Sequence, residues 1–95
     1  MTPQVLIVGA GGREHALARR LAESPSRPHL WAAPGNPGLL RLASRAPADP
    51  ADHPALAAWC REAAIDLVVV GPEDPLIAGL ADVLRDAGLA VFGPG

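Results

Sequence analysis

Residues 4–12 read Gln4-Val5-Leu6-Ile7-Val8-Gly9-Ala10-Gly11-Gly12, and the reading of this stretch decides the fold. Val5 to Val8 form an unbroken apolar run, mostly β-branched, the pattern of a short strand buried on both faces. Gly9 stops it. The period then changes to that of a helix, with Leu17, Ala18, Leu21 and Ala22 on an apolar stripe. Arg13, Glu14, Arg19, Arg20 and Glu23 are expected on the opposite, polar face. A buried strand, a glycine-rich turn and an amphipathic helix, in that order, open a βαβ unit.

The rest of the chain continues the alternation. Ser24-Pro25-Ser26-Arg27-Pro28 ends the first helix, because residues that precede proline disfavour the helical region. Residues 29–33 read as a second strand, closed by Pro34-Gly35-Asn36-Pro37-Gly38. Residues 39–43 suit one helical turn, and residues 44–51 a short edge strand broken by Pro47 and Pro50. Asp52 is placed to cap the next helix, with Pro54 in its first turn and Leu56, Trp59, Cys60 and Ala63 on its core-facing stripe. Residues 65–70 are the most strand-like segment. After Gly71-Pro72 the stripe Leu76, Leu80, Val83, Leu84 and Ala87 describes a last helix with Gly88 as its stop, and Ala90-Val91-Phe92 a last strand. The expectation is an α/β fold: one Rossmann-like domain over residues 1–95, a parallel sheet with helices on both faces.

Composition narrows the function. The chain has 95 residues, 49% hydrophobic and 19% charged, enough apolar material for a packed core. Its net charge of −2 with scattered basic residues argues against nucleic acid as a partner. All eight basic side chains are Arg, so Schiff-base chemistry and a lysine-dependent phosphate loop are excluded within this chain. The lone Cys60 rules out an internal disulfide, and with no Cys/His cluster no zinc site or other metal centre is expected. No apolar run approaches the ~20 residues of a membrane helix, and no basic region precedes the first apolar stretch. A cytoplasmic domain with no membrane contact is expected.

In a parallel sheet of this kind ligands bind beyond the carboxyl ends of the strands, where the strand order reverses. Three loops are placed there: residues 9–15, 34–38 and 71–75. Gly9-Ala10-Gly11-Gly12 lets backbone N–H groups approach an anion at a helix N-terminus, and Arg13 can add a charge-assisted bond. The same glycines also suit a tight turn with no ligand. His15 can cap, pack or touch a ligand. Asn36 is the one side chain of its loop able both to donate and to accept. Glu73 and Asp74 follow the strongest strand, as site carboxylates or as an acidic helix start.

Together the loops resemble a known family. Gly9-Ala10-Gly11-Gly12-Arg13-Glu14-His15-Ala16-Leu17 is similar to the opening motif of phosphoribosylamine–glycine ligase, also called glycinamide ribonucleotide synthetase. Ala33-Pro34-Gly35-Asn36-Pro37-Gly38 resembles its second motif, residues 66–76 its third, and Phe92-Gly93-Pro94 the close of its N-terminal, pre-ATP-grasp domain. Residues 44–52 depart most, being richer in Pro and Ala. The resemblance implies part of an ATP-dependent ligase of purine biosynthesis. That enzyme joins glycine to 5-phosphoribosylamine, giving glycinamide ribonucleotide, ADP and phosphate through an acyl phosphate of glycine. It implies that ATP and Mg²⁺ (or Mn²⁺) bind in ATP-grasp domains outside these residues, with no cofactor within residues 1–95, and that this chain alone is inactive.

Carried over by position, the resemblance assigns Gly11, Gly12, Arg13 and Glu14 to the phosphoribosyl substrate, Glu73 to the ribose hydroxyls and Asn36 to a lesser contact. It assigns no catalytic residue here. Two other readings stay open. A nicotinamide-binding oxidoreductase domain is disfavoured because Glu14 stands where a third glycine would fall, and no acid follows the second strand at Trp31-Ala32-Ala33. A non-catalytic binding module of the same fold is the other.

Overall fold

In the computed structural model, residues 2–70 and 79–92 are described, and they form five strands and three helices. The strands are β1 (Gln4–Gly9), β2 (His29–Pro34), β3 (Ser44–Arg45), β4 (Leu67–Val70) and β5 (Val91–Phe92). The helices are α1 (Gly12–Ala22), α2 (His53–Glu62) and α3 (Leu80–Asp86), and Leu39–Arg41 makes a 3₁₀ turn. Every pairing is parallel, in the order β3-β2-β1-β4-β5. The first strand in sequence is therefore central. The order reverses between β1 and β4, so the turn that follows β1 stands at the switch point.

Burial explains why β1 reads as a continuous apolar run. Val5 and Ile7 pack on one face with Ala18 of α1 and Leu39, while Leu6 and Val8 pack on the other with Leu56, Cys60, Leu80 and Leu84 of α2 and α3. Each wholly buried Leu contributes about 1.5–3 kcal/mol of transfer free energy. Trp31 on β2 meets Trp59 on α2 edge to face, with ring centroids 5.1 Å apart. The buried side of the Trp31 indole keeps its hydrogen bond, because Nε1 donates to Gln4 Oε1 at 2.8 Å.

The helix ends obey local chemistry. Asp52 caps α2 by accepting the N–H of Ala55 at 3.2 Å, and Pro54 lies in the first turn. After α3 the chain turns through Gly88 at φ +88°. There Gly88 N–H donates to Arg85 O and Leu89 N–H to Leu84 O, the paired bonds of a Schellman stop. The edge strand expected within residues 44–51 is two residues long and ends before Pro47 and Pro50. Leu76, expected on the last helical stripe, lies outside the described residues, as do Glu73 and Asp74.

Candidate functional site

β1 and β2 end side by side, with Gly9 paired to Pro34, so the first two loops leave the sheet together. Gly9 has φ +137°, a conformation that L side chains rarely adopt. It is also shut in: a Cβ there would lie 2.6 Å from Oε1 of Glu14. The chain then rises through Ala10 and Gly11 and enters α1 at Gly12. The first N–H groups of a helix have no acceptor within it, and the dipole makes that end attractive to anions. Gly12 and Arg13 are both exposed there, and a Cβ on Gly12 would meet nothing within 4 Å among the described residues. The floor of this turn is glycine, and no described residue covers Gly12 from above.

Glu14 does not take the polar face expected for it. It is buried, and its Oε2 accepts the N–H of Gly11 at 3.0 Å. The reason lies in helical spacing. Glu14 precedes Ala18 by four residues and Leu21 by seven, so it shares their inward face, and the absence of side chains at Gly9 and Gly11 makes room for its carboxylate. The consequence for Gly11 is direct: its N–H points down to Glu14.

The second loop is tied to the first. Asn36 Nδ2 donates to Ala10 O at 2.7 Å, while its Oδ1 accepts the N–H of Leu39 at 2.8 Å. Gly35 N–H donates to Gly9 O at 3.3 Å. Gly38 has ordinary helical angles, φ −67° and ψ −45°, so its backbone does not require glycine. The imidazole of His15 does: a Cβ on Gly38 would lie 2.9 Å from its Cε1. His15 thus packs the two loops together. The sequence marks His15 and Asn36 singly, and nothing in their spacing announces that His15 closes against Gly38 or that Asn36 bonds Ala10 across the loops.

The remaining candidates separate cleanly. Gly11, Gly12, Arg13, Glu14 and Asn36 gather at one corner of the carboxyl edge; Glu73 falls outside the described residues. Cys60 is wholly buried on α2, and burial pushes its thiol up to about 11, which leaves it inert as a nucleophile near neutrality. Among the described residues no three His, Cys, Asp or Glu side chains are grouped to hold a metal ion. No helix among them is long and apolar enough to cross a membrane.

A five-stranded parallel sheet with a glycine-rich first turn at its switch point defines the class: a Rossmann-like α/β domain. A crystal structure of RSP in complex with beta-NADH shares this fold, with a TM-score of 0.61 at 23% identity over 99% of this chain and 47% of that one. The chain belongs to the family described as phosphoribosylglycinamide synthetase, N domain, which matches residues 3–95. A phosphoribosylamine–glycine ligase of Agrobacterium fabrum is 57% identical over 91 residues, 96% of this chain and 22% of the relative. The trifunctional purine biosynthetic protein adenosine-3 of Drosophila melanogaster is 47% identical over 100 residues, 100% of this chain and 7% of that protein. The chain thus spans about a fifth of the length of the single-activity relatives.

Proposed function

We propose that this domain serves the ATP-dependent joining of glycine to 5-phosphoribosylamine, and that it holds the phosphoribosylamine. One observation carries the reading. The β1–α1 turn presents the N-terminus of an eleven-residue helix, with exposed Gly12 and Arg13, at the point where the strand order reverses. A sugar phosphate is an anion that such a turn binds by backbone N–H groups and a guanidinium fork. Gly11 shapes the turn, Gly12 lets the phosphate come close, and Arg13 supplies charge. Glu73 accepts from the ribose hydroxyls, a role that rests on the family motif Gly71-Pro72-Glu73. Glu14 and Asn36 complete the site from beneath and beside it.

ATP and Mg²⁺ are held by ATP-grasp domains of the same enzyme. This division suits the donor set here, since the chain has no Lys to reach a nucleotide phosphate. Catalysis then consists largely of orienting the amine towards an activated glycine carboxylate, in a cytoplasmic enzyme of purine biosynthesis. The test is kinetic. In the enzyme containing this domain, Arg13→Ala should raise KM for phosphoribosylamine about 10- to 100-fold, as expected for a lost charge-assisted bond, with KM for ATP and glycine unmoved. Equal effects on all three substrates would defeat the assignment. The nicotinamide reading has an equally direct check, since NADH fluorescence should not respond to this chain.

A further inference from the structure

Two side chains from different elements meet one peptide group. Asn36 Nδ2 donates to the carbonyl of Ala10 at 2.7 Å, and Glu14 Oε2 accepts the N–H of Gly11 at 3.0 Å. Ala10 C=O and Gly11 N–H are the two ends of the same planar unit, between Ala10 and Gly11. We propose that Asn36 and Glu14 are positioning residues that act as a pair, fixing the orientation of the Ala10–Gly11 peptide and so the floor of the anion-binding turn.

The need for such a pair follows from the glycines. Gly11 is the N-cap of α1 at φ −91° and ψ 177°, and it has no side chain to make the usual capping bond. A peptide followed by glycine rotates easily, because no Cβ resists the motion. Rotation by half a turn would turn the Ala10 carbonyl inward against the Glu14 carboxylate and the Gly11 N–H out towards the Asn36 amide, losing both bonds and reshaping the floor of the turn. Glu14 holds the N–H end inward. Asn36 holds the oxygen end outward, and it is itself anchored, since its Oδ1 accepts from Leu39 N–H at 2.8 Å. Gly38 closes against the His15 ring on the other side of this contact. The carboxylate that the motif places beside the phosphate site thereby bonds the backbone of the turn through its Oε2.

The substrate in this inference rests on the function proposed above; the pinned peptide does not. Asn36→Asp keeps the acceptor for Leu39 N–H and replaces the donor to Ala10 O with a second, negatively charged acceptor. Asn36 makes no bond to Gly11 N–H, so exchange of that amide reads the peptide's orientation at a distance. By NMR on this chain, Asn36→Asp should speed Gly11 amide exchange about tenfold, the loss expected for one hydrogen bond. Glu14→Ala should do the same, Glu14→Gln should largely retain protection because its amide oxygen still accepts, and the double variant should fall short of the product of the singles. In the enzyme, Asn36→Asp should raise KM for phosphoribosylamine about tenfold, leaving KM for ATP and glycine in place. Unchanged Gly11 exchange in Asn36→Asp, or losses that simply multiply in the double variant, would overturn the pairing. Faster Gly11 exchange with all three KM values moving together would overturn the positioning role. An enzyme that does not use phosphoribosylamine would remove the substrate reading alone, since the exchange result decides the pairing by itself.

Discussion

At the amino end of the sheet, Gln4 N–H donates to Asp66 Oδ2 at 2.7 Å and Asp66 N–H donates to Gln4 O at 2.8 Å. Trp31 Nε1 reaches the Gln4 side chain, and His29 N–H reaches Pro3 O, each at 2.8 Å. At the carboxyl end the bonds are of similar length, but Asn36 and Glu14 bind loop backbone from beside and below. The upper surface there consists of Ala10, Gly11 and Gly12, all exposed. Both ends are equally stitched; only one is stitched from the inside. Polar side chains at the amino end tie neighbouring strands together, while those at the carboxyl end bind loop backbone and leave its glycines exposed.

Gly9→Ala should break the carboxyl end most severely. It adds the strain of a side chain at φ +137° to the overlap of its Cβ with the Glu14 carboxylate. Each effect is worth about 1–3 kcal/mol, so chemical denaturation should show a combined loss of about 2–6 kcal/mol. Use of phosphoribosylamine should fall beyond what that destabilisation explains.

A reference that belongs to neither end comes from Cys60. Its thiol is raised from 9.0 to about 11 by burial, so the stability it confers is full below pH 9 and declines as pH climbs towards 11. The whole loss should be about 2–3 kcal/mol. The chain has no Lys and no Tyr, so no other side chain titrates in that window. Melting curves from pH 8 to 11 should slope downward, and those of Cys60→Ala should be flat there at a lower overall stability. A slope that survives the substitution would refute the assignment.

The smallest effect should come from the amino end. Asp66→Ala removes the exposed bond to Gln4 N–H and should cost about 1 kcal/mol in a thermal or urea melt, with every KM unchanged. A selective rise in KM for phosphoribosylamine in this variant would erase the distinction between the two ends.

Much of the fold was legible because its rules are local. Val5 to Val8 had to be a two-faced strand, Asp52 and Pro54 had to start α2, and Gly88 had to stop α3. The loops were legible as places but not as structures. Glu14 was assigned outward because a carboxylate on an amphipathic helix usually faces water. Its register with Ala18 said otherwise, and only the missing Cβ atoms of Gly9 and Gly11 made the inward position affordable. Asn36 was recognised as able to donate and accept, and it does both. That its donor meets Ala10, 26 residues earlier, depends on β1 and β2 ending in register, which no local pattern records.

The central place of β1 also dictates an order of events during folding. Its first partner, β2, begins at His29, but the second edge is covered only by β4, and the Gln4–Asp66 bond spans 62 positions of sequence. Contacts this distant are slow to form, because the intervening chain must be gathered before they return any stability. On the ribosome β1 is made well before β4, the strand that covers its second edge. Through that interval Val5 to Val8 present an unpaired strand edge, the kind of surface that another nascent chain can join.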